Sequence, residues 1–161
     1  MSRERTTTLN APWSRYAAAS LEEAMPDTQT RRPIARRPED LHALLATCFN
    51  AGDLEGLLDL YEPDATLVSS PGHAVTGTGA LRDALAGFLA LKPRETFVET
   101  VGVVLTDGCA LTRSRWGLKG TDPLDGATVT LAHRGVEIMR RQPDGTWRFL
   151  IDDPFAGDLP D

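Results

Sequence analysis

Residues 134–155, RGVEIMRRQPDGTWRFLIDDPF, constrain this chain more than any other stretch. Two runs of alternating apolar and polar residues flank Gln142-Pro143-Asp144-Gly145, and Asp144-Gly145 is a strong hairpin signal because both residues tolerate the positive φ angles of a tight turn. The two runs therefore pair antiparallel. Each carries a carboxylate where an apolar residue would be ordinary, Glu137 in the first and Asp152 in the second. A carboxylate that faces the covered side of a sheet loses hydration and needs a partner or a proton. These two acids are the first candidates for chemistry.

The hairpin closes a longer series. Thr96 to Leu105, Cys109 to Lys119, Thr128 to Arg141 and Thr146 to Ile151 all read as strands, separated by Asp107-Gly108, by a loop containing Asp122-Pro123, and by the hairpin turn. Ahead of them, Pro38-Glu39-Asp40 opens a helix whose apolar stripe is Leu41, Leu44, Leu45, Cys48 and Phe49. Gly52 ends it. Asp53 caps a second helix with the stripe Leu54, Leu57, Leu58 and Tyr61, closed by Pro63. Ala65 to Ser69 is a short strand and Ser70 to His73 a loop. Thr76-Gly77-Thr78-Gly79 then leads into a third helix, with Leu81, Leu85, Phe88 and Leu89 on its buried side.

Three helices followed by an antiparallel meander make an α+β domain, in which the simplest packing wraps a strongly curved sheet around the helices and leaves a cavity at the open end. The outer face of that sheet carries Val136 and Ile138, which predicts a homodimer through this face.

Composition narrows the class. A chain of 161 residues with 41% hydrophobic and 25% charged residues suits one soluble domain, and no stretch has the length of a membrane span or the order of a secretory signal, so a cytoplasmic protein is expected. Residues 1–37 hold seven Arg against four acids, a balance of +3, so the net charge of −6 leaves −9 on the remainder. An acidic domain disfavours nucleic acid as a partner. The tail, residues 1–37, is expected to be disordered or weakly helical over Tyr16 to Met25, with a domain over 38–156 and a short C-terminal tail over 157–161. Cys48 and Cys109 read as buried, reduced thiols. Three histidines without ligand-like spacing argue against a metal.

Phe49-Asn50-Ala51-Gly52-Asp53, Leu57 to Tyr61 with Asp64-Ala65, Gly77-Thr78-Gly79-Ala80-Leu81, and Arg140 to Trp147 together resemble the SnoaL-like and ketosteroid-isomerase-like families of the nuclear-transport-factor-2-like superfamily, over about residues 38–156. The resemblance implies a cone-shaped α+β barrel, three N-terminal helices packed on a strongly curved mixed or antiparallel sheet. It also implies a deep apolar pocket and frequent dimerisation. Ketosteroid isomerases use a base Asp, an oxyanion-donating Tyr and a protonated Asp. Carried over by position, the Tyr falls on Leu45, the base on Ser69 beside Ser70, and the protonated Asp on Glu137, so steroid-type isomerisation is disfavoured. The Asp-Arg-Asp pattern of limonene-type epoxide hydrolases could be imitated by Glu137 and Asp152 with Arg113 or Arg115 between them.

The expected site follows. Strand alternation puts Glu137 on the same face as His133, Gly135 and Met139. Glu137 and Asp152 are the candidate acid–base residues, and the bland alternative for Glu137 is a salt bridge to Arg115 or Arg134. His133 is a candidate proton shuttle, with His73 assisting, while His42 is expected to face solvent. Leu45, Phe49, Tyr61, Ser69, His73, Trp116 and Met139 are the expected ligand-binding residues. No cofactor is called for. The expected partner is a small apolar oxygenated molecule, acted on by a cofactor-free isomerase, cyclase or hydrolase or simply held by a binding or assembly module.

Overall fold

The computed structural model describes residues 34–158 and the backbone of residues 4–6. The rest of the expected tail, including the Tyr16 to Met25 stretch, lies outside the described residues. The elements run β1 (Glu4–Thr6), α1 (Asp40–Ala51), α2 (Leu54–Asp59), β2 (Tyr61–Ser70), β3 (His73–Thr76), α3 (Thr78–Leu89), β4 (Arg94–Thr106), β5 (Cys109–Thr121), β6 (Thr128–Arg141) and β7 (Trp147–Asp153), with a closing 3-10 turn at Ala156–Asp158. They form an α+β fold in which one mixed sheet, ordered β3-β2-β7-β6-β5-β4, packs against the helices. β1 lies beside the first half of β6, parallel to it.

Local chemistry sets these boundaries. Gly52 ends α1 at φ 68°, where its N–H reaches the carbonyls of Cys48 and Phe49. Asp53 caps α2 by accepting from the Gly56 N–H at 2.8 Å. At the hairpin, Gly145 adopts φ 83° and Asp144 Oδ1 accepts from the Thr146 N–H at 3.0 Å, so the turn is held by the residues that signalled it.

Two sequence expectations change here. Tyr61 does not continue the stripe of α2: the Leu60 carbonyl accepts from the Phe149 N–H at 2.8 Å, which draws the chain out of the helix and into β2 one residue later. Pro63 then sits inside β2, at the irregular step between Tyr61 and Thr66 where pairing with β7 shifts, a position that spares it the N–H it lacks. Second, the Ser70 to His73 loop is a tight turn into β3, which pairs antiparallel with β2.

The core lies between the helices and the concave face. Leu41, Leu57, Leu81, Leu85, Met139 and Phe149 are almost fully buried in it. Packing begins before α1, since Ala35 is buried and its carbonyl accepts from the Trp147 N–H.

Candidate active site

The antiparallel register of β6 and β7 puts Glu137 directly opposite Asp152, and that of β5 and β6 puts Thr112 opposite Glu137. Alternation along β5 brings Thr112, Ser114 and Trp116 to the same concave face. Thr112 Oγ1 donates to Glu137 Oε2 at 2.7 Å and Ser114 Oγ donates to Glu137 Oε1. Gly135 makes room for this: a Cβ there would collide with both Glu137 Oε1 and Ser114 Oγ.

His42 completes the shell of Glu137. Rather than facing solvent it is 1% exposed, with Nε2 at 3.1 Å from Glu137 Oε2 and Nδ1 at 2.7 Å from Thr100 Oγ1. His42 lies three residues before Leu45 and seven before Phe49, so it belongs to a stripe at helical spacing. Counting apolar residues alone hid that signal.

Asp152 has a different partner. Tyr61, the first residue of β2, donates its phenolic O–H to Asp152 Oδ2 at 2.6 Å. Burial raises the Asp152 pKa first, and the negative charge of Glu137 raises it further, so that the carboxyl titrates at about 7 despite the Tyr61 hydrogen bond. Burial and the same Asp152 charge push the Tyr61 phenol well above its ordinary range, so it stays a donor.

Both carboxylates line a cavity of about 50 Å³, several times the roughly 10–15 Å³ that one water needs. Its walls are otherwise mostly apolar: Leu45, Phe49, Leu85, Phe88, Trp116 and Leu118, with Tyr61, Thr96 and Ser114 adding polar atoms. Of the expected site residues, Glu137, Asp152, Leu45, Phe49, Tyr61 and Trp116 thus meet at one cavity.

The other expected residues are placed elsewhere. His133 shares the concave face but sits four residues along β6, stacked near Trp116 and Phe155, with Nδ1 bonded to Asp158. Ser69 is buried with its hydroxyl on the His73 carbonyl at 3.2 Å, and His73 itself is exposed at the start of β3. Met139 is fully buried with its sulfur toward Thr112 Oγ1. None of these four lines the cavity. The arginine bridge is absent for a simple reason: alternation turns Arg113 and Arg115 outward, where Arg115 pairs with Glu99. Among the described residues no group of three or more His, Cys, Asp or Glu side chains could hold a metal, and no helix is long and apolar enough to cross a membrane.

The model of the SnoaL-like domain matches residues 41–149. This chain belongs to the SnoaL-like family. No curated protein matches its sequence. Among solved structures, a ketosteroid isomerase-like protein from Erwinia carotovora atroseptica superposes with a TM-score of 0.59 at 21% identity, over 71% of this chain and 88% of that one. A nuclear transport factor 2-like superfamily protein from Salmonella enterica serovar Typhimurium gives 0.61 at 12% identity, over 71% and 84%. A candidate dehydratase of the same superfamily from Streptomyces avermitilis gives 0.54 at 19%, over 70% and 88%. At these identities the likeness is one of fold. The SnoaL-like chain described here therefore has the superfamily's cone-shaped α+β architecture, and its chemistry must be argued from its own residues.

Proposed function

We propose that this SnoaL-like protein binds an apolar, oxygen-bearing small molecule in its cavity and carries out cofactor-free acid–base chemistry on it, with Asp152 as the group that moves the proton. The observation that carries this reading is the pairing of Asp152 with Glu137 in an apolar wall, where the partners of the pair are Thr112, Ser114, His42 and Tyr61, none of them an arginine or lysine. A guanidinium or ammonium partner would have held Asp152 ionised. Instead Asp152 titrates at about 7, where a general acid–base group is most effective near neutral pH.

The chemistry balances without a cofactor. In its ionised form Asp152 takes a proton from a ligand carbon activated by a neighbouring carbonyl. In its protonated form it returns that proton to another carbon, to the alkoxide oxygen left when a new carbon–carbon bond opens a carbonyl, or to a departing hydroxyl. An isomerisation, a cyclisation by carbon–carbon addition, or a dehydration each needs only these transfers. Glu137 supports them through its charge, which raises the proton affinity of Asp152, while Tyr61 fixes the carboxyl's orientation.

The test is turnover of a panel of enones, β-keto compounds, β-hydroxy ketones and epoxides by the wild type, Asp152→Asn and Glu137→Gln. Turnover by the wild type, lost in Asp152→Asn, is expected. Equal rates in all three proteins would remove the acid–base role. Tight binding of panel members with no turnover would favour the second reading, a ligand-binding module, which the mostly apolar lining also suits.

The same reading includes a homodimer. Val104, Leu111, Ile138 and Ile151 are direct cross-strand neighbours over β4, β5, β6 and β7 on the convex face, with Val104 59% and Ile151 42% exposed. Such a row is well matched by a second copy of itself. Light scattering is expected to give a dimer mass for the wild type and a monomer mass for Ile138→Asp, and a wild-type monomer at micromolar concentration would overturn the proposal.

A further inference from the structure

Thr96 lines the cavity, is 7% exposed, and carries the buried side-chain oxygen that has no hydrogen-bond partner among the described residues. Buried hydroxyls are rarely left this way, because an unmade bond costs the full desolvation of the group. The surrounding structure holds the residue firmly nonetheless. Asn50 in α1 takes both backbone groups of Thr96, donating from Nδ2 to its carbonyl at 2.9 Å and accepting from its N–H at 2.8 Å. Immediately before it Glu95 adopts φ 58°, a left-handed conformation that a side chain resists, inside a register shift between Arg94 and Phe97. A kinked strand, a two-bond amide clamp and an unpartnered hydroxyl thus converge on one cavity residue.

Its position relative to the acid pair is set by β4. Thr96, Val98 and Thr100 share one face of the strand, and Thr100 Oγ1 meets the His42 ring that also bonds Glu137. Thr100 lies four residues along the strand from Thr96, a backbone rise of about 13 Å, and marks the side where His42 meets Glu137. The apolar lining includes Phe49, Phe88, Val98, Trp116 and Leu118.

We propose that Thr96 is a second polar anchor of the cavity, whose hydroxyl bonds an oxygen function at the far end of the ligand from Asp152 and Glu137. The ligand class is then an elongated, mainly apolar molecule with an oxygen at each end. This rests on the acid–base reading for the carboxylate end and adds a specificity-determining residue at the other.

Two probes separate the claims: a cyclohexanone bearing a para-hydroxyphenyl ring opposite its carbonyl, and the same ketone lacking the phenolic hydroxyl. Calorimetric titration of the wild type is expected to give about fivefold tighter binding of the hydroxylated probe. Thr96→Val should erase that preference without weakening the deleted probe, and Thr96→Ser should keep it. Binding of both probes should weaken as pH rises through neutrality, and Asp152→Asn should abolish that dependence. A pH-dependent wild type with no preference, or a preference that survives in Thr96→Val, would overturn the Thr96 anchor and leave the carboxylate reading standing. Failure of both probes to bind, or binding indifferent to Asp152, would count against the carboxylate reading and the anchor together. Melting provides a check that needs no ligand. Thr96→Val should melt at or above the wild type, since it removes an unpaired hydroxyl, and a fall of several degrees would show that the hydroxyl serves the fold instead.

Discussion

Glu62 and Glu137 are buried almost equally, at 5% and 3% exposure, yet the structure treats them in opposite ways. Glu62 takes both Nε and Nη2 of Arg140, the first at 2.8 Å, and the Gln142 side-chain amide at 2.7 Å. The Arg140 guanidinium holds its carboxyl below the usual range. Glu137 has hydroxyls and an imidazole in place of a guanidinium, and a second acid, Asp152, directly across the strand pair. Burial alone therefore does not set the electrostatics of a carboxylate. What separates the two is that Glu137 lacks a guanidinium partner and opens onto a cavity, the setting in which a carboxylate becomes a candidate for chemistry.

The largest expected effect attacks the Asp152 side of this contrast. Asp152→Asn should lower kcat/KM on any turned-over substrate by about 10²–10⁴-fold, the usual worth of a positioned acid–base group. Glu137→Gln should move the pH–rate inflection near 7 to lower pH, because it removes the negative charge that raises the Asp152 pKa. An unmoved inflection would mean that the titrating group is not Asp152. Glu62→Gln should leave both rate and profile unchanged.

The next effect is on stability against pH. The folded-state pKa of Asp152, about 7, lies above its unfolded value of 3.8, so the folded protein holds the proton more tightly. Its contribution is therefore most favourable below about pH 4 and is lost progressively as pH rises to about 7, with a slope of at most ~1.4 kcal/mol per pH unit. Asp152→Asn keeps an acceptor for Tyr61 but has nothing to ionise. Chemical denaturation should find its advantage over the wild type absent at pH 4 and growing to a few kcal/mol by pH 8. A constant difference across that range would refute the buried acid.

Much of this was legible in the chain. Asp144-Gly145 signals the hairpin, and alternation places Glu137 with Met139 on the buried face, but Asp152 joins that face only through a register shift at Ile138 and Met139, which continued alternation from Trp147 and Phe149 does not give. Helical spacing reveals the faces of α1 and α3 because their buried residues are mostly apolar. His42 escaped because a polar residue on a buried face is invisible to a count of apolar ones, although its spacing to Leu45 and Phe49 fits. Thr112 and Ser114 escaped because small hydroxyl side chains are equally at home on either face of a strand. Tyr61 was assigned to the pocket through the wrong element: a helix end and a strand start differ by a long-range bond from Phe149, which local sequence does not contain. Thr96 was beyond reach for the same reason, since its place depends on Asn50, 46 residues away.

The smallest expected effect tests the other half of the contrast, the compensated glutamate. Glu62→Gln removes charge-assisted bonds whose arginine is 46% exposed and can be rehydrated, so the loss is put at about 1–2 kcal/mol. Its pH dependence has the opposite sign to that of Asp152. The Glu62 pKa is lowered in the folded state, so its contribution is fully present above the unfolded value of 4.5 and is lost as pH falls through the folded pKa. Acid unfolding followed by circular dichroism should therefore show the wild type and Glu62→Gln separated at pH 6 and converging below pH 4. Asp152→Asn and the wild type should converge at the same acid end and separate toward pH 8. If both variants instead diverged from the wild type on the same side, the two buried carboxylate sites would be electrostatically alike. The cavity would then hold an ordinary structural pair.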